Sequence, residues 1–146
     1  MNSVYASLGT TVFEVMSRVA AERGAVNLGQ GFPEEDGPRD ILEAAARATL
    51  DGPNQYPPMR GLPDLRQAVA THYEARSGTK LDWQREITIT SGATEAIAAA
   101  LLAFIEPGDE VVLFEPAYDA YAPLIRRAGG KPVAVQATVE VNFRLL

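Results

Sequence analysis

Apolar positions recur at helical spacing close to the N-terminus. Val12, Val15, Met16 and Val19 fall at i, i+3, i+4 and i+7, the stripe of an amphipathic helix. Thr11 and Glu14 precede and enter that stripe at capping-box spacing, and Gly24 offers a stop, so a helix is predicted over 11–23. The following AVNLGQGFPEEDG is too rich in glycine, proline and acid for regular structure. Pro38 suits a first helical position, and Ile41, Ala44, Ala45 and Ala48 carry a second helix over 38–51. PNQYPPMRG reads as a loop shaped by three prolines. A third helix over 63–76 would turn Leu65, Val69 and Tyr73 inward and end at Gly78.

From Glu86 the pattern changes to alternating strands and helices. EITIT is a short β-branched run, predicting a strand over 86–90. A helix over 94–105 follows, apolar nearly all round (Ile97, Leu101, Leu102, Phe104), which predicts deep burial. VVLF predicts a strand near 110–115, continuously apolar as in a strand covered on both faces. A helix over 118–128, ended by Gly129 and Gly130, leads to a third strand at 132–136. A βαβαβ run of this kind is an α/β domain built on a parallel sheet.

Composition narrows the function classes. The 146 residues are 47% hydrophobic and 22% charged, with a formal net charge of −6. Eleven arginines but only two lysines, Lys80 and Lys131, form no basic cluster beyond Arg126 and Arg127, so no nucleic-acid partner is expected. One histidine and no cysteine offer no His or thiolate metal cluster, so no metal is expected. His72 lies beside the stripe of the third helix and reads as structural or solvent-facing. No membrane-spanning run and no signal-peptide pattern are present in the sequence, which fits a cytoplasmic protein.

Three places could carry chemistry. In EITITSGATEAI a strand turns through Ser-Gly-Ala into a helix. Gly92 permits close approach to the backbone, and the first helical N–H groups lack internal partners. With the helix dipole this suits an anion such as phosphate, aided by Ser91 and Thr94 hydroxyls. Capped βα turns occur in every α/β protein, so a plain turn stays open as well. LGQGFP (28–33) offers bare backbone N–H groups to a small carboxylate, although Gly-x-Gly without a flanking strand and helix is not a dinucleotide fingerprint. FEPAYDAY (114–121) sets Tyr118 and Tyr121 beyond the carboxyl end of a strand, where ligands bind open α/β sheets. Either could stack on a planar heterocycle or simply pack a helix onto the sheet.

Taken in order, NLGQGFP, NQYPPMRGLPDLRQAVA, EITITSGATEAI and PGDEVVLFEPAYDAYAPLI resemble class I/II aminotransferases of fold type I, in particular the kynurenine and methionine aminotransferase branch. The resemblance covers about residues 3–144. It implies pyridoxal 5'-phosphate as cofactor, amino acids and 2-oxo acids as substrates, and a homodimer with shared active sites. Gly92, Ala93 and Thr94 match the turn that holds the cofactor phosphate, and Tyr118 matches the aromatic on the pyridine ring. Gly31 matches the glycine whose N–H meets the substrate α-carboxylate, and Tyr56 the tyrosine reaching the neighbouring subunit's phosphate. Residues 1–35 would be an N-terminal arm and helix of the small domain, and 36–146 the first part of the large cofactor-binding domain.

The resemblance also implies what lies elsewhere. The Schiff-base Lys, an Asn, an Asp and a Tyr around the ring, and an Arg for the substrate carboxylate are expected beyond residue 146, so no catalytic residue is expected within the chain. Neither Lys80 nor Lys131 matches the family's lysine. Later strands of the family separate EITIT from VVLF, so only VVLF and PVAV should be neighbours, leaving strand edges and one side of the apolar helix uncovered. The final NFRLL starts like the family's next segment. A cysteine-conjugate β-lyase and a non-catalytic module binding a phosphate ligand or partner are the competing readings.

Overall fold

Helix boundaries in the computed structural model follow the capping signals closely. It describes residues 2–31, 33 and 35–139, and the NFRLL ending lies outside them. The elements are α1 (Ser3–Ala6), α2 (Val12–Arg23), α3 (Arg39–Asp51), α4 (Pro63–Ser77), α5 (Gly92–Phe104), β1 (Glu110–Glu115), α6 (Tyr121–Arg127) and β2 (Lys131–Gln136). Thr11 caps α2, its hydroxyl accepting the Glu14 N–H at 3.2 Å. Pro63 opens α4, and left-handed glycines close α2 and α4. α1 escapes periodicity because four residues are little more than one turn; Asn2 caps it by accepting the Val4 N–H.

The chain forms two compact units, the described residues of Met1–Gly29 with Ser91–Leu146, and those of Gln30–Thr90. In the first unit β1 and β2 pair in parallel, from Glu110 opposite Lys131 to Glu115 opposite Gln136. Parallel strands need a crossover, and α6 supplies it, packing on both strands. Leu113, Pro123 and Ile125 are buried here, with Gly130 against Ile105 and Ile125.

The second unit is organised by a buried arginine. Arg66 on α4 is 7% exposed. Its Nε donates to the Ile87 carbonyl at 3.0 Å, and one terminal nitrogen donates to the carbonyls of Trp83 (2.7 Å) and Gln84 (2.8 Å). The guanidinium also lies 5.3 Å from the Trp83 ring centroid, a cation–π distance. Across from it, the Ile89 N–H donates to the Arg60 carbonyl at 3.0 Å. Gly61 lets that loop approach: its φ is +95°, and a Cβ there would stand 2.5 Å from Ile89 Cγ1.

Four expectations are corrected. EITIT (86–90) is not a strand; among the described residues the only sheet is β1–β2, and Ile87 and Ile89 bond instead to Arg66 and the 57–61 loop. α5 begins at Gly92 rather than residue 94, and α6 at Tyr121 rather than 118. α5 is not deeply buried: it has no buried residue, and Phe104 is 82% exposed, since only α6 packs against it within the unit. On α4, Leu65 and Tyr73 are exposed, because the face that is covered centres on Arg66. The anticipated pairing of VVLF with PVAV, with EITIT outside the sheet, is what the structure shows. His72 is exposed, and Lys80 lies 3.6 Å from Glu74.

Replacing Arg66 by Met should lower stability by about 2–4 kcal/mol, because three carbonyls lose their donor at once. Arg66→Lys should cost roughly half as much, since a single ammonium cannot reproduce the planar fork. Urea denaturation midpoints check this; unchanged midpoints for both would show that residues 83–87 are held by other contacts.

Candidate functional site

β1 ends at Glu115, and the chain turns away through a cis Glu115–Pro116 peptide. Tyr118 therefore stands just past the carboxyl edge of the parallel pair, 47% exposed. Its ring meets that of Tyr121, the first residue of α6, edge to face with centroids 5.5 Å apart and planes at 74°. One tyrosine is thus braced by the other while its own face stays accessible.

The turn into α5 is entered from a segment that is not a strand, and the helix begins at the glycine itself. Gly92 is the first helical residue at φ +82°, a conformation that favours glycine, and a Cβ there would meet nothing within 4 Å. The space at Gly92 is open, so the backbone conformation, not crowding within the chain, demands glycine. Ser91 is the N-cap but its hydroxyl makes no cap bond. The Ser91 N–H instead donates to the Glu95 carboxylate, so the helix start already holds one anionic group, as its dipole favours. Ala93 and Thr94 are exposed in the first turn.

Thr94 and Tyr118 line one open cavity of about 590 Å³, wholly within the first unit. Its other walls are the N-terminal arm, including Tyr5 and Leu8, Asp119 in the segment before α6, and Leu124 of α6. The arm residues and Asp119 were not singled out from sequence. A four-residue helix followed by LGTT carries no motif, and only the fold brings it to the sheet edge.

The remaining candidates belong to the other unit. Gly31 is exposed in its loop with nothing within 4 Å of an ideal Cβ. The neighbouring Gly29, in the first unit, is the glycine of close approach, its Cβ position 2.5 Å from Met16 Cβ. Tyr56 is 97% exposed in the proline-rich loop. Among the described residues no group of three or more His, Asp or Glu could hold a metal ion, and no helix is long and apolar enough to cross a membrane.

The profile of the family described as aminotransferase class I and II matches residues 23–146. The chain belongs to that family. A probable N-succinyldiaminopimelate aminotransferase of Mycobacterium tuberculosis is 52% identical over 126 residues, covering 86% of this chain and 32% of the relative. The methionine aminotransferase of Escherichia coli K12 is 48% identical over 131 residues, 88% of this chain and 34% of its own length. Among solved structures, Escherichia coli YbdL, described with a methionine aminotransferase function, superposes at a TM-score of 0.91 with 43% identity, covering 99% of this chain and 38% of that one. The Mycobacterium tuberculosis N-succinyldiaminopimelate aminotransferase gives 0.87 with 49% identity, over 93% and 35%. The fold is thus that of the N-terminal part of these aminotransferases, and the chain spans about a third of the length of the curated relatives it matches.

The Tyr118–Tyr121 contact is open to direct measurement. Tyr118→Phe keeps both rings and should be near neutral, whereas Tyr118→Ala should lose about 0.5–1.5 kcal/mol beyond its lost area. A double-mutant cycle with Tyr121→Ala isolates the pair; a coupling energy of zero would mean that the two rings are not braced.

Proposed function

We propose that this chain forms the N-terminal part of an amino acid aminotransferase that uses pyridoxal 5'-phosphate. The observation that carries the reading is the shared cavity: in a chain of the class I and II aminotransferase family, Thr94 in the first turn of α5 and the exposed Tyr118 line the same space. The residues present fit the cofactor. The space around a Cβ at Gly92 is open, and the exposed Tyr118 shares the cavity lining with Thr94 of the same turn.

In this reading the N–H groups of Gly92, Ala93 and Thr94 and the Thr94 hydroxyl hold the phosphate. Tyr118 lies on the pyridine ring, kept in place by Tyr121. Gly31 offers its N–H to the substrate α-carboxylate, and Tyr56 reaches the phosphate held by the other copy of a homodimer. When bound, the cofactor supplies an electron sink for the carbanion formed at the substrate α-carbon. This chain's residues anchor and orient; the amine that moves the proton is supplied by the remaining part of the protein. Lys131 supports that division, because it opens β2 opposite Glu110, at the end of the sheet away from Tyr118. The arm of residues 1–35 belongs in this reading to a small domain and 36–146 to the large one. The substrates are an amino acid and a 2-oxo acid, and the setting is the cytoplasm. A β-lyase acting on cysteine conjugates is the second enzymatic possibility, and a non-catalytic phosphate or partner module the third.

The decisive experiment compares the full-length protein with residues 1–146 alone. Given pyridoxal phosphate and an amino acid, the full-length protein should form keto acid steadily, and the 146-residue chain should form none. Turnover by the short chain would assign the work to Lys80, Lys131 or the N-terminal amine. Failure of the full-length protein to turn over any amino acid would overturn the aminotransferase reading.

A second test concerns the phosphate turn. In the full-length protein, Gly92→Leu should weaken pyridoxal phosphate binding about tenfold or more, since a branched residue resists the +82° conformation that aims the N–H groups. Cofactor titration measures it, and unchanged affinity would move the anchor elsewhere.

A further inference from the structure

Tyr56 is 97% exposed, so its ring has almost no contact to hold it within its own unit. Where its hydroxyl lies is therefore decided by the backbone of its loop, and that loop is fastened on both sides. Before it, Asn54 Nδ2 donates to the Thr49 carbonyl, in the last turn of α3, at 2.5 Å. After it, Pro57 and Pro58 have restricted φ, and the Gly61 N–H closes a turn by donating to the Pro58 carbonyl at 2.8 Å. The turn is tied to residues 84–89 twice: the Arg60 carbonyl accepts the Ile89 N–H at 3.0 Å, and Arg60 Nη1 donates to the Gln84 carbonyl at 3.0 Å. The same Gln84 carbonyl accepts from the buried Arg66 at 2.8 Å, so an exposed turn is anchored on an interior guanidinium. Gly61 is where the two stretches touch. Its φ is +95°, and a Cβ there would stand 2.5 Å from Ile89 Cγ1 and 2.7 Å from Ile89 Cβ. A side chain at that position must lift the turn off Ile89.

We propose that Gly61, together with Arg60 and Arg66, is a positioning residue for Tyr56: the seating of the 58–61 turn on Ile89 sets where the tyrosine meets the phosphate held by the other copy of the dimer. The proposal rests on the reading of Tyr56 as acting across a homodimer. A phenol donates well to an oxygen only within a narrow range of distance and angle, so a small displacement of the loop forfeits the bond. A loop ordered before the partner arrives also spares the association the entropy of ordering it. The two prolines make the coupling direct. Their φ angles cannot relax, so a shift of the turn at Gly61 is passed to Tyr56 rather than absorbed between them.

The test titrates the full-length protein with pyridoxal phosphate and needs no turnover. Tyr56→Phe and Gly61→Ala should each weaken binding by about tenfold. The double variant should bind no more weakly than Tyr56→Phe alone, whereas lesions that act independently would multiply. Mixing then shows in which subunit the defect acts. A heterodimer of a Gly61→Ala chain and a Gly92→Leu chain contains one site with an intact phosphate turn from the first and an intact tyrosine loop from the second. That site should recover the unsubstituted affinity, as should the corresponding site made with Tyr56→Phe. If the Tyr56→Phe mixture recovers and the Gly61→Ala mixture does not, or if the two substitutions multiply, the positioning role is overturned and the reading of Tyr56 stands. If the Tyr56→Phe mixture does not recover, that reading falls and takes this inference with it. Where Gly61→Ala yields no folded protein, Arg60→Ala replaces it, since it removes only the side-chain donor to Gln84. It should weaken binding by about threefold, be restored by Arg60→Lys, and have no effect beside Tyr56→Phe; an unchanged affinity for Arg60→Ala would overturn the inference.

Discussion

The Arg66 guanidinium answers a constraint that governs the whole chain, namely that backbone carbonyls removed from water must find donors. Residues 83–89 have the composition of a strand entrance, yet no strand lies beside them among the described residues. Their carbonyls turn to Arg66, which serves three at once, while the Ile89 N–H finds the Arg60 carbonyl. An arginine suits the task because its planar fork carries several donors in fixed directions and its charge can rest against the Trp83 ring. The segment reaches Ser91 in a defined, unladdered conformation, and the turn into α5 starts from there. Side-chain donors here take the role that a neighbouring strand would have.

Elements controlled by local chemistry were legible in the residues. α2 announces itself through Thr11, the valine stripe and Gly24, and α4 through Pro63 and Gly78, because caps and stops act within a few residues of themselves. A parallel sheet was legible from the crossover between VVLF and PVAV, and their direct pairing was what the family resemblance implied. EITIT went astray for a physical reason. β-branched composition measures how well a segment fits a sheet, not whether a neighbour is present to accept its hydrogen bonds. The same gap explains α5: an all-round apolar helix predicts burial only where something lies on each side, and within its unit only α6 does. Arg66 could not be recognised either, since an arginine among the polar positions of a helix ordinarily reads as solvated.

The site divides along the same line. The glycine at the helix start and the position of Tyr118 past a strand's carboxyl edge were visible because both are local features, although the segment before the glycine is no strand. The meeting of Thr94 and Tyr118 in one cavity was not, because it depends on how α5 and α6 converge with the arm. The N-terminal arm was less visible still. MNSVYASLGTT has no periodicity, and Tyr5 and Leu8 acquire meaning only through the packing of α1 against α6. Gly29 and Gly31 make the opposite point. They are alike in the sequence, yet Gly29 is fixed by Met16 while Gly31 has open space around it, so a repeated residue type served two different ends.

These observations explain how anchoring and chemistry can be allotted to different stretches of one protein. Binding an anion at a helix start requires only the first turn of that helix and the residue before it, all contributed by one short segment. Stacking requires one aromatic side chain held at the right height, the role proposed for Tyr118, whose ring meets that of Tyr121 edge to face. Neither demands a group whose proton affinity has been tuned by distant surroundings. Proton transfer does, because a lysine acts as a base only where neighbours and burial have changed its balance between charged and neutral forms. Lys80 lies 3.6 Å from Glu74, and Lys131 opens β2 at the end of the sheet away from Tyr118. In the proposed reading, the first third of an aminotransferase carries recognition in its own local structure, and the reacting amine comes from the remainder of the fold.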